Sequence, residues 1–111
     1  MKKNSTDRDR EEKSVIIGKM ENELQLIHRH VELLKTVMRH EPIGIIRLSE
    51  MLKCPQHKVR YTLRILEQEG LIEASPDGAV TTKKVQGFME ELRATLDGMS
   101  AMIKEVRAKL D

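Results

Sequence analysis

The sequence predicts a mainly α-helical protein of α+β type, in which two long helices flank a small unit of short helices and a β-hairpin. Three observations predict it. Of 111 residues, 39% are hydrophobic and 34% are charged, but only 2% are aromatic, a balance that suits long amphipathic helices. Apolar residues recur at spacings of 3 and 4 toward both ends of the chain. All three prolines, Pro42, Pro55 and Pro76, fall between those two periodic stretches, where they punctuate shorter elements.

The length allows one domain with appendages. Twenty Lys and Arg against eighteen Asp and Glu leave a net charge of only +2, so overall charge does not point to nucleic acid. The single cysteine, Cys54, excludes an internal disulfide and a cysteine-rich zinc site. No segment approaches the roughly 20 apolar residues that span a bilayer. The charged N-terminus lacks the apolar stretch of a secretory signal, so a cytoplasmic protein is expected.

Residues 1–13 carry mixed charge with no apolar residue after Met1, and a disordered tail is expected there. The first long helix occupies 14–41. Its seam is Ile17, Met20, Leu24, Ile27, Val31, Leu34 and Met38, spaced alternately by 3 and 4. Leu33 and Val37 widen the stripe toward a globular core, and Pro42 stops the helix. The unit at 42–82 opens with the apolar run Ile43-Gly44-Ile45-Ile46, which suits an extended segment. Leu48, Met51 and Leu52 follow on a short helix. Pro55 fits the first position of the next helix, whose buried face is Val59, Leu63 and Leu66 and whose C-cap is Gly70. Leu71–Ser75 and Ala79–Thr82 flank Pro76-Asp77-Gly78 as a hairpin. The last helix fills 83–111, with Thr81 or Thr82 as N-cap. Its seam is Val85, Met89, Leu92, Leu96, Met99, Ile103, Val106 and Leu110.

A helix of about 28 residues is about 42 Å long, more than the middle unit can cover. The two seams could cover each other within a chain or meet a second copy. The second arrangement is expected, because a monomer this small would leave a large apolar patch in water. The expected coiled-coil-like homodimer interface comprises Met20, Leu24, Ile27, Val31, Leu34, Leu92, Leu96, Met99, Ile103, Val106 and Leu110.

Charge is placed unevenly. From Lys53 to Arg64 the chain holds Lys53, Lys58, Arg60 and Arg64 and no acid. A narrow helix with a basic outer face and an apolar inner face is what readout of a DNA major groove requires. The stretch from Leu48 to Ile72, with a short helix, a turn, a longer helix and then Leu66-Glu67-Gln68-Glu69-Gly70-Leu71-Ile72 leading into a hairpin, resembles the helix-turn-helix of small dimeric winged-helix regulators. It is similar to the ArsR-like and MarR-like groups and to small archaeal regulators. The resemblance covers residues 42–82 and implies double-stranded DNA as partner, with the helix at 55–69 in the major groove. The outer face of that helix is Gln56, His57, Lys58, Arg60, Tyr61 and Arg64; Arg47 and Lys53 are expected to add phosphate contacts, and Lys83 and Lys84, just past the hairpin, to stand in for a basic wing. Arg60 and Arg64 are one turn apart and suit guanine edges or phosphates, while Lys53 and Lys58 suit phosphates. Two departures from the pattern stand out. Lys53 occupies a turn position often held by glycine, and the hairpin is acidic, with no Lys or Arg between Arg64 and Lys83.

Other chemistry is sparse. His28 and His30 point about 200° apart on a helix and cannot chelate one metal together; no metal or cofactor is expected. Cys54 is read as a small turn residue, with redox sensing as the alternative. There is no phosphate loop and no nucleophile with a base at useful spacing, so no enzyme is expected. Two other functions stay open: sequence-tolerant, chromatin-like DNA binding, and a protein-interaction module. No effector is evident.

Overall fold

A computed structural model describes residues 14–111. The tail expected at 1–13 lies outside the described residues. The elements run α1 (Val15–His40), α2 (Ile45–Leu52), α3 (Gln56–Gln68), β1 (Ile72–Ser75), β2 (Gly78–Thr81) and α4 (Lys84–Lys109). The protein is mainly helical, with one two-stranded antiparallel sheet.

Helix α1 starts at Ser14, whose Oγ accepts from the amides of Ile16 and Ile17 at 3.1 and 3.4 Å. It ends at Glu41, which turns to extended backbone ahead of Pro42 across a cis peptide bond. The Glu41 carboxylate then accepts from the amide and hydroxyl of Thr81, which ties the end of α1 to β2.

The stretch 43–46 departs from expectation. Only Ile43 pairs as a strand residue would: it exchanges main-chain hydrogen bonds with Ala79 at 3.2 and 2.8 Å and adds an isolated bridge beside β2, and Gly44 follows in extended backbone. Helix α2 begins immediately, at Ile45, after Gly44. Ile45, Leu48 and Leu52 then lie on one helical face, so the apolar run serves the helix period rather than a strand. Pro55 is likewise one position outside α3, as its N-cap with ψ 145°. Gly70 closes α3 at φ 77°, where the Leu71 amide donates to the Leu66 carbonyl. In the hairpin Ser75 pairs with Gly78 around Pro76-Asp77. The N-cap of α4 is Lys83, one position beyond the expected Thr81 or Thr82; the Thr82 hydroxyl accepts from the Lys84 amide at 3.2 Å.

The core gathers Leu33, Leu34 and Val37 of α1, Ile43, Leu48 of α2, Val59, Leu63 and Leu66 of α3, Leu71, Ile72, Ala79 and Val85. Leu34, expected in a seam between chains, is fully buried here in its own chain's core. The reason is the drift of a straight 3.6-residue helix against a 3.5-residue seam, which turns the end of α1 into the core. Burial on α4 stops early: Val85 is buried, Phe88, Met89 and Leu92 are half-buried, and no later residue is covered. Helices α1 and α4 do not pack along each other. The Cα radius of gyration is 17.8 Å, against about 13 Å for a compact domain of similar length. Both long helices therefore project beyond the core. Where a Cβ would sit on Gly87 or Gly98 no described residue lies within 4 Å, so among the described residues they mark no close helix contact. No helix among the described residues is long and apolar enough to cross a membrane.

Candidate nucleic-acid interface

The site is built by the turn between α2 and α3. Lys53 adopts left-handed backbone, φ 51° and ψ 47°, and its amide and that of Cys54 both donate to the Ser49 carbonyl. The Ser49 hydroxyl donates back to the Cys54 carbonyl. These bonds pin a three-residue turn, so α3 is launched in a fixed direction. Its first intrahelical bonds run from the Lys58 and Val59 amides to the Pro55 carbonyl at 3.0 and 3.1 Å. No side chain caps the N-terminus of α3, and its first turn holds no acid. Its amides thus present positive potential.

Helix α3 divides cleanly. Val59, Thr62, Leu63 and Leu66 are buried and fix it to the core; Gln56, His57, Lys58, Arg60, Tyr61 and Arg64 are exposed. His57, Lys58, Arg60, Tyr61 and Arg64 border one shallow depression. Arg47, Gln56 and Arg60 border a second one, with Ile46 and Glu50. Arg60 is common to both, so the exposed face of α3 continues onto the start of α2. Ile46, 63% exposed beside these polar groups, was not legible as a site residue, because its apolar neighbours in sequence point to the core. Glu50 brings one acid to the rim.

Lys53 is exposed at the turn. Lys83 and Lys84 are exposed but stand elsewhere. The Lys84 ammonium lies beside Gly70, 3.1 Å from where a Cβ would be, at the C-terminal end of α3. There it complements the negative end of the helix dipole. In a helix of 13 residues the two ends are about 20 Å apart.

The histidines do not converge. His28 lines a cleft between α1 and α3 with Arg29, Glu32, Cys54 and Lys58. His30 is half-buried, its Nε2 enclosed without a partner, and burial first and Arg29 second hold its pKa below the ordinary 6.5. Among the described residues no three His, Cys, Asp or Glu come together to hold a metal ion.

A family model described as HVO_A0114 matches residues 25–86, more than half of the chain. Among solved structures, the activation domain of the phage T4 transcription factor MotA is similar in fold, with a TM-score of 0.51 and 21% identity. The match covers 66% of this chain and 81% of that domain. No curated protein matches the chain in sequence.

Proposed function

The chain belongs to the HVO_A0114 family, and on that premise, which names no activity, we propose that it is a winged-helix transcriptional regulator of the ArsR-like or MarR-like kind. In this reading it binds double-stranded DNA as a homodimer. The observation that carries the reading is the first two and a half turns of α3: from Gln56 to Arg64 six exposed polar residues include no acid, the first acid on the helix being Glu67, and Val59, Thr62, Leu63 and Leu66 are buried behind them. Likeness in fold to a domain of a transcription factor agrees with it.

In this proposal α3 enters the major groove from its N-terminal end. Gln56 and His57 lead, Arg60 and Arg64 reach base edges or phosphates, and Lys53, Lys58 and the uncapped amides of α3 hold phosphates. Arg47 takes a flanking phosphate, and Tyr61 packs on sugar. Ile46 supplies an apolar contact to sugar or a thymine methyl. Exposed Met20, Leu24 and Ile27 on α1, with Leu96, Met99, Ile103 and Val106 on α4 and Leu110 at its C-cap, form the dimer interface. The half-buried Val31 and Leu92 lie at its edge. A two-fold dimer favours an inverted repeat with half-sites about 34–36 Å apart.

Selection of bound duplexes from a random library at physiological salt tests the proposal. Enrichment of an inverted repeat is expected. Retention of DNA without any motif, falling steeply with salt, would replace it with sequence-tolerant binding. Failure to retain DNA would overturn it.

A further inference from the structure

The hairpin side of the molecule has the opposite character to the exposed face of α3. From Ile65 to Thr82 the chain carries Glu67, Glu69, Glu73 and Asp77 and no lysine or arginine. Glu67, Glu73 and Asp77 line one groove, between the C-terminal half of α3 and the hairpin. Its floor is apolar, made by Ile43, Ile45, Leu63, Ile72 and Ala79, and it encloses about 430 Å³. That volume falls within the range of sites that hold a small ligand or a few side chains.

The sheet beside the groove is open on one edge. Among the described residues β1 pairs with β2 alone, while the far edge of β2 takes the Ile43 bridge. Ala79 directs both its amide and its carbonyl to Ile43, and Ala74 stands opposite Ala79 in the register. In an antiparallel pair, residues opposite each other either face each other or both face away. The Ala74 amide and carbonyl therefore point to the open edge, and Ala74 is exposed and too small to block an approaching chain.

We infer that this groove docks an extended segment of a partner protein that is basic and carries aliphatic side chains at alternate positions. The segment runs along β1 and bonds the Ala74 main chain. Its apolar side chains enter the floor, and its lysines or arginines meet Glu67, Glu73 and Asp77. Charge makes the choice of occupant: an acidic rim repels a phosphate backbone and an acidic peptide alike. The inference does not depend on DNA binding by α3.

The test pans a phage-displayed library of random short peptides over the immobilised full-length chain. Basic sequences with alternating aliphatic residues are expected to enrich. Their retention should fall at least about tenfold on a Glu67→Lys, Glu73→Lys, Asp77→Lys variant, whose three positions are exposed. Ala74→Pro, which removes the edge amide and leaves every acid in place, should weaken retention as well, with circular dichroism checking that the hairpin still folds around the proline ring. With a synthetic copy of an enriched peptide, amide shifts should concentrate at 43–45, 63–67 and 72–79. Acidic or no enriched peptides, equal retention on both variants, or shifts confined to the Gln56–Arg64 face would overturn the inference. Retention of DNA by the charge-reversed variant, measured alongside, reads the α3 face separately.

Discussion

Two single residues with positive φ carry opposite consequences. At Gly78 φ is 131°, and a Cβ would fall 2.5 Å from the carbonyl carbon of Ile43. Ile43 cannot retreat, since it exchanges both main-chain hydrogen bonds with Ala79. Gly78→Ala is expected to cost roughly 2–4 kcal/mol, the sum of backbone strain and overpacking. Urea unfolding measures it, and a loss under about 1 kcal/mol would mean that the hairpin shifts freely. Lys53 is the reverse case, a side chain held in left-handed backbone at φ 51°. Lys53→Gly should raise stability by roughly 1 kcal/mol while removing a proposed phosphate ligand. Unfolding and DNA titration of the same variant are thus expected to move in opposite directions. A gain in both would take Lys53 out of the interface. The Pro76-Asp77-Gly78 triplet announced a turn, but the demand on Gly78 was not legible. It arises from Ile43, a residue far off in sequence that returns alongside Ala79.

At the scale of elements, legibility followed the strength of the period. Helix α3 was read well because its two faces differ in chemistry as well as position: Val59, Leu63 and Leu66 are buried, while the polar set is exposed. The start of α2 was misread, because Ile43-Gly44-Ile45-Ile46 satisfies a strand and a helix equally until a partner for Ile43 is known. Leu34 was misplaced because an exact heptad cannot show where a straight helix turns from one neighbour to another. The division of α3 yields a prediction. Arg60→Ala and Arg64→Ala remove exposed side chains, so the unfolding midpoint should stay unchanged. Each should lose about 1–3 kcal/mol of affinity for a selected operator if it reads a base. A phosphate contact would instead weaken all sequences alike and reduce the salt dependence by about one ion. Titration against operator and scrambled duplex separates the two outcomes, and unchanged affinity in both variants would remove α3 as the reading element.

The whole molecule poses a problem that a single copy does not solve. Helix α4 is 26 residues long, yet it is buried only at its start. Beyond that, Leu96, Met99, Ile103 and Val106 stand between 41% and 58% exposed on one seam. The first half of α1 repeats the pattern with Met20 and Leu24, 65% and 64% exposed. The two helices do not cover each other within the chain. Aliphatic stripes of this length are rare on monomers, and covering them with a second copy removes both from water by one contact. Sedimentation equilibrium is therefore expected to give twice the 12.8 kDa chain mass at micromolar concentration. Leu24→Asp and Ile103→Asp each place a charge in the seam at a position outside the core. Each should weaken self-association by about a hundredfold or more, as loss of a central apolar anchor does, with the core still folded by circular dichroism. Because two half-sites are bound together only by a dimer, the same variants should lose affinity for an inverted repeat far more than for an isolated half-site. A wild-type chain that sediments at 12.8 kDa throughout, or variants that associate as the wild type does, would leave the seams to a different protein and separate DNA binding from self-association.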